Sequence, residues 1–124
     1  MSYVSQISKE LSSSDTSYSG IIYLPIEKVR EHILQHLNAD TQRRLEHEKK
    51  YKIQVILHDQ SDGTTFNVFF GKSGNQYVFS RFYQVVTKHK LNEKDMIDFH
   101  DIKVGDDQTL EISYSIATYY RVAR

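Results

Sequence analysis

The chain has no cysteine, no tryptophan and a single proline in 124 residues. Without cysteine there is no disulfide framework and no thiolate metal site, which suits a reducing compartment. No apolar run approaches the roughly 20 residues that a membrane-spanning helix needs. The N-terminus MSYVSQISKE lacks a signal-peptide pattern, so no membrane association is expected. Net charge is missing too, because 16 Lys and Arg balance 16 Asp and Glu. That balance argues against strong non-specific nucleic-acid binding and leaves room for a localised site.

Acids are absent from one long stretch, residues 63–92, although they are plentiful elsewhere. The same stretch holds Lys72, Arg81, Lys88 and Lys90, with Phe and Tyr between them. A segment positive throughout can attract phosphate locally even in a neutral molecule. The competing reading is a solvated face on which acids are missing by chance. For Lys88 and Lys90 a solvated position is expected, because their helix carries them away from the rest.

The length fits a single domain over residues 1–124 with a real apolar core. Residues 3–11 read as a first strand anchored by Val4 and Ile7. Residues 12–20 form a serine-rich loop whose composition favours turns over helix. Residues 21–24 read as a short buried strand. Pro25 opens a helix, since the first turn does not need its missing N–H. Ile26, Val29, Ile33 and Leu37 then recur on one helical face. Asn38 or Asp40 stops or restarts the chain. Residues 41–50, with Leu45 as the only apolar anchor, read as a surface helix or an ordered loop.

The second half has strand period. Tyr51, Ile53, Val55 and Leu57 alternate with mostly polar neighbours, and Phe66, Val68 and Phe70 share a face after the Asp62-Gly63 turn. Gly71 to Asn75 reads as a turn and residues 76–79 as a strand. Ser80 suits the N-cap of a helix bearing Phe82, Val85, Val86 and His89 on one side. Residues 96–102 and 109–118 complete the sheet. The sum is about seven strands and two helices, in a mainly antiparallel, curled or barrel-like sheet.

Several chemistries fail on their spacing. Gly71-Lys72-Ser73 ends like a phosphate-binding P-loop, but Phe66 stands where the upstream glycine belongs, and a strand follows instead of a helix. His32 and His36 share a helical side, yet no third zinc ligand follows at a recognisable spacing. His58, Asp59 and Ser80 lack a nucleophile-elbow sequence. No enzyme activity, metal, cofactor or small-molecule substrate is therefore expected. Phe66, Phe70, Phe79 and Phe82 follow strand and helix period, so they read as core and not as base-stacking platforms.

The order of elements resembles the plant B3-type DNA-binding domain. The matching residues are Ile7-Ser8-Lys9-Glu10-Leu11, Ser14-Asp15, Ile21-Ile22-Tyr23-Leu24-Pro25, Tyr77-Val78-Phe79-Ser80-Arg81-Phe82, Leu91-Asn92-Glu93-Lys94-Asp95 and Ile97-Asp98-Phe99. The likeness covers residues 5–116 and is greatest to divergent plant members, the reproductive-meristem group among them. It implies a seven-stranded open pseudobarrel, mainly β with two helices. It also implies a nuclear plant transcription regulator that grips double-stranded DNA in the major groove with two arms. The first arm would be residues 12–20, and the second the turn at 71–76 with the chain around Arg81.

The resemblance assigns roles. Lys72 and Arg81 would neutralise phosphates or reach guanine acceptors. Asn75 and Gln76 suit adenine edges. Ser73, Ser14 and Ser19 would bond phosphate oxygens, and Lys9 would add a contact at the base of the first arm. The N–H groups opening the helix after Ser80 would favour a phosphate. The chain departs from the family pattern in having Phe82 for a usual Trp, Gly20 for a frequent basic residue, Lys94 for a Gly, and a first arm poor in cations. With about three phosphate contacts, log affinity would fall against log salt with a slope near −3. A second reading is a protein-interaction module on the same fold, with possible protein partners. It rests on the neutral charge, the polar segment 41–50 and the tyrosines at 114–120.

Overall fold

The computed structural model describes residues 6–16 and 20–117. Tyr3, Val4 and Ser5 of the expected first strand, and Thr118 of the last, lie outside the described residues. Seven strands form one sheet: β1 (Ile7–Glu10), β2 (Ile22–Leu24), β3 (Lys52–Asp59), β4 (Thr65–Ser73), β5 (Gln76–Ser80), β6 (Met96–Val104) and β7 (Leu110–Ala117). Their order is β1-β6-β7-β3-β4-β5-β2. The sheet curls into a nearly closed barrel in which β1 and β2 are the two edges. All pairs are antiparallel except β3 with β7, which run parallel.

Alternation explains the core. Ile53, Val55 and Leu57 on β3 face inward, with Val68 and Phe70 opposite on β4. Phe70, Phe79, Phe82 and Phe99 are fully buried, and their rings meet at edge-to-face angles with centroids 5.3 to 6.3 Å apart. Each such ring contributes about 1.5–3 kcal/mol by leaving water. The aromatics read as core from their period are core, with Phe66 partly covered at its margin.

The helices differ in three ways from the sequence reading. Helix α1 (Ile26–His32) stops earlier than the apolar spacing predicts, because Ile33 leaves helical geometry at φ −122° and ψ −63°. A short 3-10 turn (Leu34–His36) follows. Ile33 and Leu37 stay buried all the same, so the apolar positions mark the core correctly and the helix length incorrectly. Residues 39–47 form a third helix, α2 (Ala39–His47), with Asn38 as its cap. The Asn38 side chain accepts from Thr41 N–H at 2.8 Å. Only Thr41 and Leu45 of α2 are buried, which is why its period is weak in the sequence.

The third difference concerns Ser80. It is the last residue of β5 and does not cap a helix. Helix α3 (Tyr83–His89) is entered through Phe82 with no side-chain cap. Between them Arg81 takes φ 63°, a left-handed conformation that turns the chain from strand to helix.

Candidate nucleic-acid interface

The first arm is organised by a carboxylate that points inward. Asp15 is buried. It accepts from Ser12 N–H at 2.8 Å, Ser12 Oγ at 3.0 Å and Tyr23 N–H at 3.3 Å. Lys9 Nζ lies 3.4 Å from the same carboxylate. The only acid of this loop therefore does not confront an approaching phosphate. Lys9 is committed to Asp15, which weakens its expected role as a free phosphate contact. Ser13 and Ser14 stand on the exposed side of the turn, with Ser14 Oγ 3.0 Å from Ser12 Oγ. Ser19 lies outside the described residues.

The arm ends at Gly20, and a glycine is needed there. Its φ is 69°, and a Cβ would lie 3.0 Å from the Tyr83 ring. The Gly20 carbonyl accepts from Phe82 N–H at 2.8 Å. This contact ties the exit of the first arm to the turn that carries Arg81.

The second arm is the β4–β5 hairpin. Its register pairs Ser73 with Gln76, leaving Gly74 and Asn75 as a two-residue loop. Gly74 has φ 62°, as a tight hairpin with glycine at its first central position requires. Ser73, Asn75 and Gln76 are exposed at this tip. Lys72 and Ser73, read as turn residues, belong to β4.

Arg81 lies away from the tip. It stands at the far end of β5, beside Gly20, with its guanidinium 5.9 Å from the centre of the Phe69 ring. Strand rise puts the tip and Arg81 roughly 15 Å apart. The expected second arm is thus divided, with Lys72, Ser73, Asn75 and Gln76 at one end of the β2–β5 edge and Arg81 with the first arm at the other.

The acid-free stretch acquires acids once folded. Lys72 Nζ meets Glu46 Oε1 from α2 at 2.7 Å, and the Tyr77 hydroxyl donates to Glu46 Oε2 at 3.3 Å. The hydrogen bond from Lys72 holds the Glu46 carboxyl below its ordinary range. Burial, with Glu46 beside it, pushes the Tyr77 hydroxyl up. Lys88 is exposed, as expected, but it is committed to two carboxylates, bonding Asp59 at 2.6 Å and Asp62 at 2.7 Å. Those two hydrogen bonds raise its pKa. Among the described residues Arg81 forms no ion pair.

Lys88 belongs to a network that fixes α3 to the β3–β4 loop. Buried Asp59 also accepts from Ser61 N–H at 2.9 Å, Ser61 Oγ at 2.6 Å and Tyr114 Oη at 3.0 Å, and meets His89 Nε2 at 2.8 Å. Burial acts to raise the Asp59 carboxyl, but the bonds from Lys88, Ser61 and Tyr114 outweigh it and hold the group well below the carboxylate range. Burial and the Asp59 charge drive the Tyr114 hydroxyl far up. Sequence reasoning missed Asp15, Glu46 and Asp59 as organisers. The one available signal was an isolated acid among serines at position 15. Among the described residues no group of three or more His, Cys, Asp or Glu could hold a metal ion, and no helix is long and apolar enough to cross a membrane.

Comparison with known proteins places this geometry. The family described as "B3 domain-containing protein At5g26805, C-terminal domain" matches residues 6–106. No curated protein matches. Among solved structures, the Arabidopsis FUS3-DNA complex is similar at 21% identity and a TM-score of 0.61, covering 90% of this chain and 96% of that one. The Arabidopsis thaliana transcription factor LEC2-DNA complex gives 18% identity and a TM-score of 0.64, covering 94% and 93%. The hypothetical Arabidopsis thaliana protein At1g16640.1 gives 17% and 0.52, covering 87% and 86%. At these identities the structures establish the shared fold. The family match runs from the first strand into the turn after β6, and on a barrel of that same fold it makes this chain a member of the B3 domain family.

Proposed function

We propose that this chain, as a single domain over residues 1–124, binds double-stranded DNA in the major groove and serves a plant transcription regulator in the nucleus. The observation that carries the reading is the open β2–β5 edge with polar arms at its two ends. Two arms roughly 15 Å apart suit a major groove about 12 Å wide. Two of the solved relatives of this fold are DNA complexes, FUS3 and LEC2. At the hairpin end, Asn75 and Gln76 offer paired donors and acceptors for base edges, and Ser73 offers a hydroxyl for phosphate. At the other end Arg81, which forms no ion pair among the described residues, supplies a guanidinium at the turn tied to the exit of the first arm.

A weak rather than a tight complex is expected. Lys9 and Lys72 already have carboxylate partners within the chain. Lys72 must leave Glu46, or share it, to reach a phosphate. That same economy of free cations favours the second reading, a protein-interaction module on this fold.

The deciding experiment is fluorescence anisotropy with a pool of random-sequence duplexes at low and near-physiological salt. Salt-sensitive binding that is lost in K72A/R81A, with an unchanged melting curve, supports DNA recognition. Absence of binding at low salt overturns it and leaves the protein module, which light scattering would reveal as a concentration-dependent mass.

A further inference from the structure

A groove of about 720 Å³ opens between α1, α2 and the β4–β5 hairpin. Arg30 from α1, Arg43 and Glu46 from α2, and Lys72, Asn75 and Tyr77 from the hairpin line it. Three cations therefore face one carboxylate. That carboxylate is already engaged, by the Lys72 ammonium and by the Tyr77 hydroxyl. Arg30 has no ion-pair partner among the described residues, and its charge is felt at the Tyr77 hydroxyl. Among the described residues Arg43 pairs only with Asp40, in an exposed contact, and such pairs are weak enough to yield to a better anion.

We propose that this groove holds phosphates of the DNA backbone flanking the site that the two arms read, with Arg30 and Arg43 as the contacts. The inference rests on the DNA-binding reading and extends it beyond the arms. Three features favour a DNA backbone as the occupant. The groove is continuous with the hairpin tip through Asn75, so a duplex engaged there passes its mouth. Its lining is cationic and hydrogen-bonding, with guanidinium groups suited to phosphate oxygens. Its two arginines project from two different helices, so the positive lining does not depend on the hairpin alone.

Each phosphate neutralised contributes about −0.9 to the slope of log affinity against log salt. Removing both arginines should make that slope shallower by about 1.8 and lower affinity at 0.1 M salt roughly tenfold to a hundredfold. The loss should be the same for every sequence, since phosphate contacts carry no base information.

The experiment compares the full chain with R30A/R43A and R30K/R43K on random-sequence duplexes. One set of duplexes is about one helical turn long, roughly 10 bp, and the other twice that. The expected result is a shallower slope for R30A/R43A on the longer duplexes, recovery in R30K/R43K, and little difference on the short ones. R30Q/R43Q carries the same expectation if alanine disturbs the helices. A slope identical to that of the unaltered chain, with a native melting curve, overturns the groove while leaving arm-mediated binding intact. Failure of the unaltered chain to bind any duplex overturns both.

Discussion

Replacing Asp59 by Asn probes what holds α3, and with it the Arg81 turn, in place. The substitution keeps the size of the side chain and removes its charge. It leaves the Lys88 ammonium, the His89 ring and the Tyr114 hydroxyl around an amide that presents two donors of its own. Breaking a buried pair by removing one partner costs about 3–5 kcal/mol. Asp62 still holds Lys88 at 2.7 Å, so the lower end, about 3 kcal/mol, is expected. At about 2.1 cal/mol/K per residue, a chain of 124 residues has an unfolding entropy near 0.26 kcal/mol/K. The melting temperature should then fall by roughly 11 °C. Tyr114→Phe removes a single donor to the same carboxylate and should cost about 1.5 kcal/mol, or roughly 6 °C.

The effect has a definite pH dependence. The Asp59 carboxyl is depressed in the folded state, so its stabilisation is fully present above the unfolded value of about 3.9. It is lost as pH falls through the lower folded value. The gap between the unaltered chain and Asp59→Asn should be flat above about pH 5 and narrow below about pH 4. Thermal unfolding followed by circular dichroism, from acid to neutral pH, measures all three quantities. A melting temperature for Asp59→Asn within 2–3 °C (about 0.5–0.8 kcal/mol) of the unaltered chain at pH 7 would refute the reasoning.

Gly20→Ala should destabilise the domain by about 1–2 kcal/mol, because φ 69° is strained for alanine and the new methyl meets the Tyr83 ring at 3.0 Å. Since Gly20 also receives the Phe82 N–H, chemical denaturation should show this loss together with weaker duplex binding in anisotropy. Asn38→Ala removes the cap of α2 and should cost about 1 kcal/mol, read as a lower urea midpoint with an unchanged slope; no shift would mean that the Thr41 N–H finds another acceptor.

The barrel was legible because its strands keep period two. Ile53-x-Val55-x-Leu57 and Phe66-x-Val68-x-Phe70 announce their inward faces, and Leu24-Pro25 marks the junction of strand and helix. Local patterns failed where long-range electrostatics decide. Lys72 and Glu46 are 26 positions apart, as are Lys88 and Asp62, so nothing in either neighbourhood records the pairing. The stretch 63–92 is acid-free along the chain and not in space. The third helix was ambiguous because a helix lying on the surface with two buried residues needs almost no apolar stripe. The resemblance groups Arg81 with the hairpin turn in one arm. The five residues of β5 separate them, because a strand moves the chain farther per residue than any other element.

The order of the strands has a consequence for how the chain acquires its shape. The first strand is an edge whose only neighbour in the sheet is β6, with Ser8 and Asp98 bonded across 90 positions. β1 has no partner until nearly the whole sequence is available, and the parallel pairing of β3 with β7 is also late. Loop closure must be met before these contacts return anything. Such a topology belongs with domains that fold in milliseconds to seconds. On a ribosome, β2 to β5 could pair with one another while β1 still waits for β6, so the edge meant for nucleic acid would take form before the opposite edge of the barrel.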